Sequence, residues 1–398
     1  MPNISIKGRE MPSSPIRKLA PFAEQAKKNG VKIYHLNIGQ PDIETPPPFW
    51  EKLKHLDKKI LEYSPSNGFE DIRQAYTGFF KERYNLNLSN SDIMITTGAS
   101  EALSFTLLSI LDEGDEIIAT EPLYANYIGF AKTGGIVMKP ITTYIDNGFA
   151  LPGVEAFEKA ITPKTKAILI CNPSNPTGYC YSESELERLK EIVIRHDLFL
   201  ISDEVYRDFV YHRSFKSMLE YPEIEQNVIV VDSISKRFSA CGARIGMVAS
   251  KNKEVLATIM KFAQQRLSPP GLGQLAATAL FNVSNDYFES VNQEYLSRRE
   301  ILVEGMNRIS GVECPTPGGA FYCMIKLPVK DSDHFCQWML EHFQYQGETV
   351  MMAPGAGFYS TPGLGKNQVR VAYVLNGEAL KKAIFILEKG LEKYLQEF

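Results

Sequence analysis

The sequence predicts an α/β fold, with a large domain built on a mostly parallel seven-stranded sheet flanked by helices and a smaller α+β domain formed by both chain ends. Two observations support this prediction. Between residues 92 and 250, short apolar runs rich in β-branched residues alternate with longer stretches of helical periodicity. Several of the short runs are apolar at consecutive positions, which is typical of strands buried on both faces of a parallel sheet. The alternation therefore favours a sheet covered by helices.

The predicted elements of the large domain follow one another from residue 92 onward. The strands are predicted at Asp92–Thr97, Glu116–Thr120, Ile136–Ile141, Lys166–Cys171, Leu198–Ser202, Val228–Asp232 and Arg244–Ala249. The helices between them are predicted at Ser100–Leu111, Tyr124–Thr133, Val154–Ile161 and Glu183–His196. Because such sheets bind ligands at the carboxyl ends of their strands, we expect the chemistry in the residues that follow each strand.

The two chain ends have a different pattern. The N-terminal segment is rich in loops and prolines, and the segment after about Asn292 begins with a long charged helix that runs through Arg308. A strand-like MIKL segment follows the sequence PTPGGAFY, and the chain continues into Gln368–Val374 and a closing helix, Gly377–Gln396. We therefore predict that both ends form one small domain. The predicted domains are residues 46–291 for the large domain, and 1–45 with 292–398 for the small one.

The composition of the 398-residue chain, 44% hydrophobic and 23% charged, is typical of globular proteins. The 43 Lys and Arg residues are nearly balanced by 47 Asp and Glu residues, so the overall charge attracts neither nucleic acid nor an acidic membrane. No apolar run approaches the roughly 20 residues of a membrane helix, and the N-terminal residues lack the apolar core of a secretory signal. The sequence predicts a cytoplasmic protein that binds neither nucleic acid nor membrane.

The 6 cysteines and 6 histidines show no C-x-x-C pair and no H-E-x-x-H motif. Spacings of this kind mark many structural and catalytic metal sites. The sequence therefore predicts reduced thiols and no bound metal.

The first candidate site is the segment Thr97-Gly98-Ala99-Ser100, which joins a predicted strand to a helix. Small residues at a helix N-terminus allow backbone N–H groups to approach an anion, and Ser100 adds a hydroxyl. The segment is thus a candidate phosphate site. Taken alone, it is more simply a helix start with Ser100 as the N-cap.

The second candidate site is Asn172-Pro173-Ser174-Asn175-Pro176-Thr177-Gly178, directly after a predicted strand. Two prolines and a glycine make a rigid turn that can direct the Asn175 amide at a substituent of a bound ring. A tight loop without a ligand fits the same pattern.

The third candidate site is Asp203-Glu204-Val205-Tyr206, which puts a carboxylate and a phenol at the exit of another predicted strand. A buried carboxylate needs a cationic partner, so Asp203 is a candidate ligand for a cation. Taken alone, Asp203 is more simply a cap for the next turn.

The fourth candidate site is Ser233-Ile234-Ser235-Lys236, followed by Arg244 in the segment GARIG. A lysine after an apolar strand can be desolvated and become a nucleophile toward an aldehyde, although a surface lysine is the ordinary alternative. Together the four sites supply a phosphate cradle, a donor to a ring oxygen, a partner for a pyridinium nitrogen and a Schiff-base lysine. Pyridoxal 5'-phosphate requires this set of groups, and we predict it as the cofactor.

Three motifs in this order resemble those of the class I/II aminotransferases, the aspartate-aminotransferase-like pyridoxal-phosphate enzymes of fold type I. They are NPSNPTG at 172–178, SDEVY at 202–206 and SISKRFSACGARIG at 233–246. The likeness extends from LNIGQPD at 36–42 to VRVAY at 369–373. It implies ping-pong transfer of an amino group between an α-amino acid, of aspartate or aromatic type, and a 2-oxo acid such as 2-oxoglutarate.

The resemblance also implies roles for the residues around the cofactor. Lys236, Asp203 and Tyr206 are the expected catalytic residues: Lys236 forms the Schiff base and moves the substrate proton, and Asp203 pairs with the pyridinium nitrogen. Asn175 and Tyr206 are expected to hydrogen-bond the ring oxygen O3′, and Tyr124 to stack on the ring. The residues expected to hold the phosphate are Ala99, Ser100, Ser233 and Arg244, with Ser235 as a further candidate.

The same resemblance implies how substrate and partner subunit are bound. Arg370 is expected to bind the substrate α-carboxylate through a bidentate contact, together with Asn175 and the backbone of Gly39. Tyr63 is expected to reach the cofactor phosphate of the neighbouring subunit, which makes the protein a homodimer.

The resemblance leaves the substrate side chain and two rival functions open. A dicarboxylic substrate needs a second cation, and the candidates are Arg17, Lys18 and Arg266. Each of them is more simply explained as a solvated surface charge, because no motif assigns it to the site. One rival is a lyase or synthase of the same fold, such as a β-C–S lyase or an aminocyclopropane-carboxylate-synthase-like enzyme. The other is a catalytically silent regulator that binds pyridoxal phosphate.

Overall fold

The computed structural model describes residues 2–212 and 214–398, in which helices and strands alternate along most of the chain. The α-helices are α1 Ile6–Arg9, α2 Ala20–Lys28, α3 Pro47–Lys54, α4 Glu70–Tyr84, α5 Gly98–Ile110, α6 Asn126–Gly134, α7 Val154–Ala160, α8 Glu183–His196, α9 Ile234–Arg237, α10 Lys253–Arg266, α11 Gly271–Thr278, α12 Asn285–Asn307, α13 Ser332–Glu341 and α14 Gly377–Glu397. The strands are β1 Lys32–His35, β2 Ile93–Thr96, β3 Glu116–Glu121, β4 Val137–Thr142, β5 Thr165–Cys171, β6 Phe199–Asp203, β7 Val228–Ser233, β8 Gly246–Ala249, β9 Tyr322–Lys326, β10 Glu348–Met351, β11 Ala353–Pro354 and β12 Gln368–Ala372.

The main sheet has seven strands in the order β2-β8-β7-β6-β5-β3-β4. The pairs from β7 through β6, β5 and β3 to β4 are all parallel, and β8 runs antiparallel to both of its neighbours. The prediction of a mostly parallel seven-stranded sheet is therefore confirmed. The predicted strand ends differ from the observed ones by at most two residues.

Burial on both faces explains why the central strands are apolar at consecutive positions. In β7, Val228 and Val230 belong to one apolar core, whereas Ile229 and Val231 belong to another. Successive side chains of a strand point to opposite faces, so the two cores lie on the two sides of the sheet. Helices contribute to both cores, with Ala102 and Leu103 of α5 in the first and Leu186 and Leu189 of α8 in the second.

Local capping explains where several helices begin. Ser182 and Glu185 form a reciprocal capping box at the start of α8, which begins at the predicted residue Glu183. Helix α12 begins earlier than predicted, because Phe288 and Val291 continue its buried stripe toward the N-terminus. The predicted boundary between residues 291 and 292 thus falls inside a helix, and the division into domains stays a prediction.

Both chain ends contribute to shared structure outside the main sheet. Strand β1 pairs in parallel with β10, so that Lys32 lies opposite Glu348. Strands β11, β12 and β9 form a separate antiparallel sheet in that order. Residues close to the N-terminus are therefore held against the C-terminal third of the chain.

Within residues 2–212 and 214–398, no helix has the length and apolar character needed to cross a lipid bilayer. The same residues contain no group of three or more His, Cys, Asp or Glu side chains arranged to hold a metal ion.

Candidate active site

The carboxyl ends of β5, β6 and β7 open into a cavity of about 690 Å³. Every site residue predicted from the sequence lines this cavity except Tyr63. The lining residues among them are Gly39, Ala99, Ser100, Tyr124, Asn175, Asp203, Tyr206, Ser233, Ser235, Lys236, Arg244 and Arg370. The structure thus brings together residues that are up to 331 positions apart, from Gly39 to Arg370.

Lys236 reaches the cavity because the chain turns into the short helix α9 directly after β7. The Ser233 hydroxyl accepts a hydrogen bond of 3.1 Å from the Ser235 backbone N–H, which caps this turn. The half-buried Lys236 side chain donates from Nζ to the Gly39 carbonyl at 3.0 Å and lies 3.6 Å from Cys241 Sγ. Among the described residues it forms no ion pair. Its amine therefore remains available for covalent chemistry.

Asp203 is a buried carboxylate at the end of β6, only 5% exposed. Its Oδ2 accepts a hydrogen bond of 2.5 Å from the Tyr127 hydroxyl, and its Oδ1 accepts a longer one of 3.3 Å from the Val205 backbone N–H. Burial raises the pKa of Asp203 to about 6, although the Tyr127 hydrogen bond opposes this rise. No cation within the described residues pairs with it. A ligand that presents a protonated ring nitrogen would supply the missing charge, so the site fits pyridoxal phosphate.

Arg370 is a buried cation on β12, 1% exposed, with no carboxylate partner in the part of the chain that the structure describes. Its guanidinium donates to Asn175 Oδ1 at 3.0 Å and to the Asn37 carbonyl at 2.6 Å, and its Nε finds no hydrogen-bond partner among the described residues. Burial lowers the pKa of this guanidinium. An anionic ligand in the cavity would compensate the buried charge.

The N-terminus of α5 forms the corner predicted to hold a phosphate. Gly98 has φ +73°, a left-handed value that favours glycine, and a Cβ atom there would lie 2.5 Å from Nη2 of Arg244. Arg244 itself has a left-handed φ of +55° and donates to the Cys241 carbonyl at 3.0 Å. The backbone N–H groups of a helix N-terminus and a guanidinium thus face one corner of the cavity, a combination that suits a phosphate.

Tyr124 lies just before α6 rather than inside it, because the helix begins two residues later than predicted, at Asn126. The Asn126 amide donates to the Tyr124 hydroxyl at 2.8 Å, and burial raises the pKa of Tyr124 to about 12. The ring lies on the cavity wall, where an aromatic side chain can stack on a planar ligand.

The three candidate cations for a second carboxylate occupy different surroundings. Only Arg17 lines the cavity. Lys18 forms an ion pair with Asp333, and Arg266 forms one with Glu101 at 3.2 Å. The latter two charges are already neutralised by the protein.

The sequence analysis did not identify Tyr322, which lines the cavity with a hydroxyl 3.0 Å from that of Tyr206. The signal that could have found it is the glycine-rich segment PTPGGAFY directly before a strand. Tyr63, by contrast, lies outside the cavity and is 76% exposed, next to the exposed Ile60 and Leu61.

Comparison with known proteins assigns this architecture to a family. Residues 31–386 match the family model described as aminotransferase class I and II. An aspartate aminotransferase of Thermotoga maritima is 30% identical over 98% of this chain and 99% of its own length. An aspartate/prephenate aminotransferase of Thermus thermophilus is also 30% identical, over 91% of this chain and 92% of its own length.

A solved structure supports the same assignment. An alanine aminotransferase from Pyrococcus furiosus superimposes with a TM-score of 0.89 at 28% identity, covering 98% of this chain and 100% of the other. These similar proteins carry the names of different amino acids, so they share the reaction more clearly than the substrate. The chain therefore belongs to the class I and II aminotransferases, a pyridoxal-phosphate-dependent class of transferases, and is itself an aminotransferase.

Proposed function

We propose that this aminotransferase binds pyridoxal 5'-phosphate in the 690 Å³ cavity and transfers an amino group between an α-amino acid and a 2-oxo acid. The observation that carries the proposal is the pair of uncompensated buried charges, Asp203 and Arg370. A cofactor with a protonated ring nitrogen satisfies the first, and a substrate carboxylate satisfies the second. The cofactor, when bound, supplies an aldehyde and a ring that withdraws electrons from the substrate Cα.

The residues around the proposed cofactor divide its binding between them. Asp203 holds the proton on the ring nitrogen, and Asn175 with Tyr206 binds the ring oxygen. Tyr124 stacks on the ring. The phosphate is bound at the N-terminus of α5 and beside it by Ala99, Ser100, Ser233 and Arg244, with Ser235 contributing through its 2.7 Å contact with the Ser233 hydroxyl.

Lys236 and Arg370 act on the substrate. With the cofactor bound, Lys236 would hold its aldehyde covalently until a substrate amine takes that place. The freed Nζ would then accept and hold the proton of the substrate Cα. Arg370 binds the α-carboxylate and, with Gly39 and Asn175, orients the Cα–H bond toward Lys236. Because the same groups serve both half-reactions, amino acid and 2-oxo acid bind alternately at one site.

We also propose that the active unit is a homodimer in the cytoplasm. Tyr63, Ile60 and Leu61 form an exposed apolar surface outside the cavity, and Leu267 and Leu272 are exposed as well. An apolar patch of this kind is typical of an interface. Across such an interface Tyr63 would contact the phosphate bound by the partner subunit.

The half-reaction tests the proposed function. Chain loaded with the cofactor is mixed with single amino acids, without any 2-oxo acid, and the products are measured by absorbance and mass spectrometry. We expect one equivalent of 2-oxo acid per site and the aminated form of the cofactor, with no free ammonia. Release of ammonia would instead indicate a lyase, and no reaction with any amino acid would indicate a regulator.

The matched control for this experiment is Lys236→Ala. This variant should still take up the cofactor, but borohydride should no longer attach it to the chain. Its half-reaction should slow by several orders of magnitude, because the covalent link and the proton carrier are both lost. A Lys236→Ala chain that borohydride still labels would overturn the assignment of Lys236.

A further inference from the structure

Tyr322 is a buried cavity residue at the start of β9, where it pairs in register with Ala372 on β12. Its ring and its hydroxyl contact different parts of the site. The ring lies against Arg370, which the proposed function assigns to the substrate carboxylate. The hydroxyl lies between Tyr206 and Gly39, which flank the reacting groups.

The ring of Tyr322 helps to hold the Arg370 guanidinium in place. The guanidinium carbon lies 4.6 Å from the Tyr322 ring centroid and 4.9 Å from that of Phe358. A cation held by two aromatic faces in a buried site gains more from them than an exposed one does. The two rings therefore limit the orientations in which Arg370 can meet a carboxylate.

The hydroxyl of Tyr322 makes two contacts of unequal length. It lies 3.0 Å from the Tyr206 hydroxyl and 3.5 Å from the Gly39 carbonyl. The Gly39 carbonyl already accepts the 3.0 Å hydrogen bond from Lys236 Nζ. The shorter contact, to Tyr206, is the stronger hydrogen bond.

The direction of the Tyr206 proton depends on which hydroxyl donates in the Tyr206–Tyr322 contact, and at 3.0 Å either one can. The Tyr206 oxygen also accepts a hydrogen bond of 3.4 Å from the Asn175 amide. When Tyr322 is the donor, the oxygen of Tyr206 accepts from both Tyr322 and Asn175 and uses both of its acceptor positions. Its own O–H is then free to donate into the cavity. Burial, together with the neighbouring Tyr322, raises the pKa of Tyr206 above its usual value, so this proton is retained.

The close fit at Gly39 supports the same arrangement. A Cβ atom at Gly39 would lie 1.8 Å from the Tyr322 hydroxyl, so the chain leaves room for that hydroxyl only by having glycine at this position. The approach of Gly39 brings one backbone carbonyl within reach of both Tyr322 and Lys236.

We propose that Tyr322 is a positioning residue with two separable functions. Its ring holds Arg370 for the substrate carboxylate, and its hydroxyl donates to Tyr206 so that Tyr206 donates to the ring oxygen of the cofactor. The proposal rests on the proposed function, because it requires the cofactor in this cavity. It adds a residue whose hydroxyl controls the protonation of the bound cofactor without contacting it.

Two variants separate the functions of Tyr322. Tyr322→Phe keeps the ring and removes the hydroxyl. Without its second donor, Tyr206 binds the cofactor oxygen less well, so the pH midpoint of the bound cofactor's absorbance should rise by roughly half a unit to one unit. We expect kcat to fall about tenfold, with KM for amino acids nearly unchanged. Tyr322→Leu should show the same spectral shift and, in addition, a KM raised roughly tenfold, since Arg370 loses one aromatic face.

Tyr211→Phe is the matched control, because it also removes a buried tyrosine hydroxyl, one that donates to the Ala320 carbonyl at 2.7 Å, outside the cavity lining. Its spectral midpoint should equal that of the wild type. The inference is overturned if Tyr322→Phe titrates like Tyr211→Phe, or if Tyr322→Phe and Tyr322→Leu raise KM equally. Failure of the proposed function is a different result: the wild-type chain itself would then take up no cofactor, which would overturn the inference as well.

Discussion

At the scale of single residues, Asp203 and Arg370 differ from the other buried charges near the sheet. Asp232, for example, accepts a hydrogen bond of 2.8 Å from Arg237, whereas neither Asp203 nor Arg370 has an opposite charge within the described residues. An uncompensated buried charge costs folding free energy. These two charges therefore lower the stability of the cofactor-free chain. For each of them we expect a measurable effect, on stability for Asp203 and on substrate binding for Arg370.

The Asp203 carboxyl predicts a pH-dependent stability of the cofactor-free chain. Burial raises its pKa from 3.8 to about 6, so the folded chain keeps this proton at pH values where the unfolded chain has lost it. The resulting contribution to stability is complete below pH 3.8 and is lost as the pH rises through about 6. Asp203→Asn stays neutral, and its stability should therefore increase relative to the wild type between about pH 4 and pH 7, by up to roughly 3 kcal/mol.

Urea unfolding of both cofactor-free chains at several pH values measures this difference. Saturating cofactor provides the control, because a protonated ring nitrogen stabilises the wild-type carboxylate and should remove the advantage of the variant. A difference in stability that is constant over the pH range would contradict the burial of an uncompensated carboxyl.

Arg370 predicts a loss of carboxylate binding. Arg370→Ala should lower kcat/KM for α-amino acids by about 10- to 100-fold or more, since a hydrogen bond to a charged group contributes about 1.5–3 kcal/mol. Arg370→Lys keeps the charge but not the planar fork, and should recover only part of the loss. Steady-state kinetics measures both variants. A primary amine without a carboxylate is the control substrate and should react equally poorly with all three chains.

At the scale of elements, buried ion pairs at the junction of β7 and α9 fix the position of Lys236. Arg237 follows Lys236 and is fully buried. Its guanidinium forms ion pairs with Asp232, at 2.8 Å, and with Asp208. Helix α9 has only four residues, too few to be stable by itself. These ion pairs therefore define the orientation of the turn that presents Lys236 to the cavity.

Arg237→Met tests this role of the junction. Without Arg237, Asp232 keeps only its 3.6 Å ion pair with Arg207 and Asp208 its 3.1 Å ion pair with Arg83 among the described residues. We therefore expect a loss of up to about 3 kcal/mol in the free energy of unfolding. Arg308→Met is the matched control, because Arg308 pairs with Glu304 on an exposed helix surface, where such pairs contribute little. Urea midpoints of the two variants should differ clearly. Equal midpoints would show that the buried pairs do not stabilise the junction.

At the scale of the whole molecule, the position of Tyr63 predicts an active site shared between two subunits. Tyr63 is 76% exposed and lies outside the cavity of its own chain, so we expect it to contact the cofactor of another copy. Two-fold symmetry would then create two composite sites. Lys236→Ala subunits mixed with Tyr63→Phe subunits provide the test.

In a mixed dimer, one site takes Lys236 from one subunit and Tyr63 from the other, and carries neither substitution. We expect a class of sites with wild-type cofactor affinity to appear on titration after subunit exchange. If Tyr63 serves its own subunit, no site in the mixed dimer is intact, and only the two parental affinities appear. Unmixed variants, titrated separately, are the control.

The sequence by itself determined those features that depend on neighbouring residues. The central strands could be predicted because their burial on both faces requires consecutive apolar residues, as in Val228–Ser233. The motifs at Asn175, Asp203 and Lys236 could be predicted as a site because each directly follows such a strand, and parallel strands end at the same edge of the sheet. Among the predicted helices, the starts of α5 and α6 differed from the observed ones by two residues, and the start of α12 by about seven.

The tertiary structure alone decided which distant residues meet. Arg17 and Lys18 are adjacent in the sequence, yet Arg17 lines the cavity and Lys18 pairs with Asp333. Tyr322 contacts Tyr206 and Gly39, which lie 116 and 283 positions away in the sequence. The physical reason for this difference is that the hydrophobic periodicity of a strand or helix shows only which of its own residues are buried. Contacts between residues separated by hundreds of positions depend instead on how whole elements pack, which no local pattern encodes.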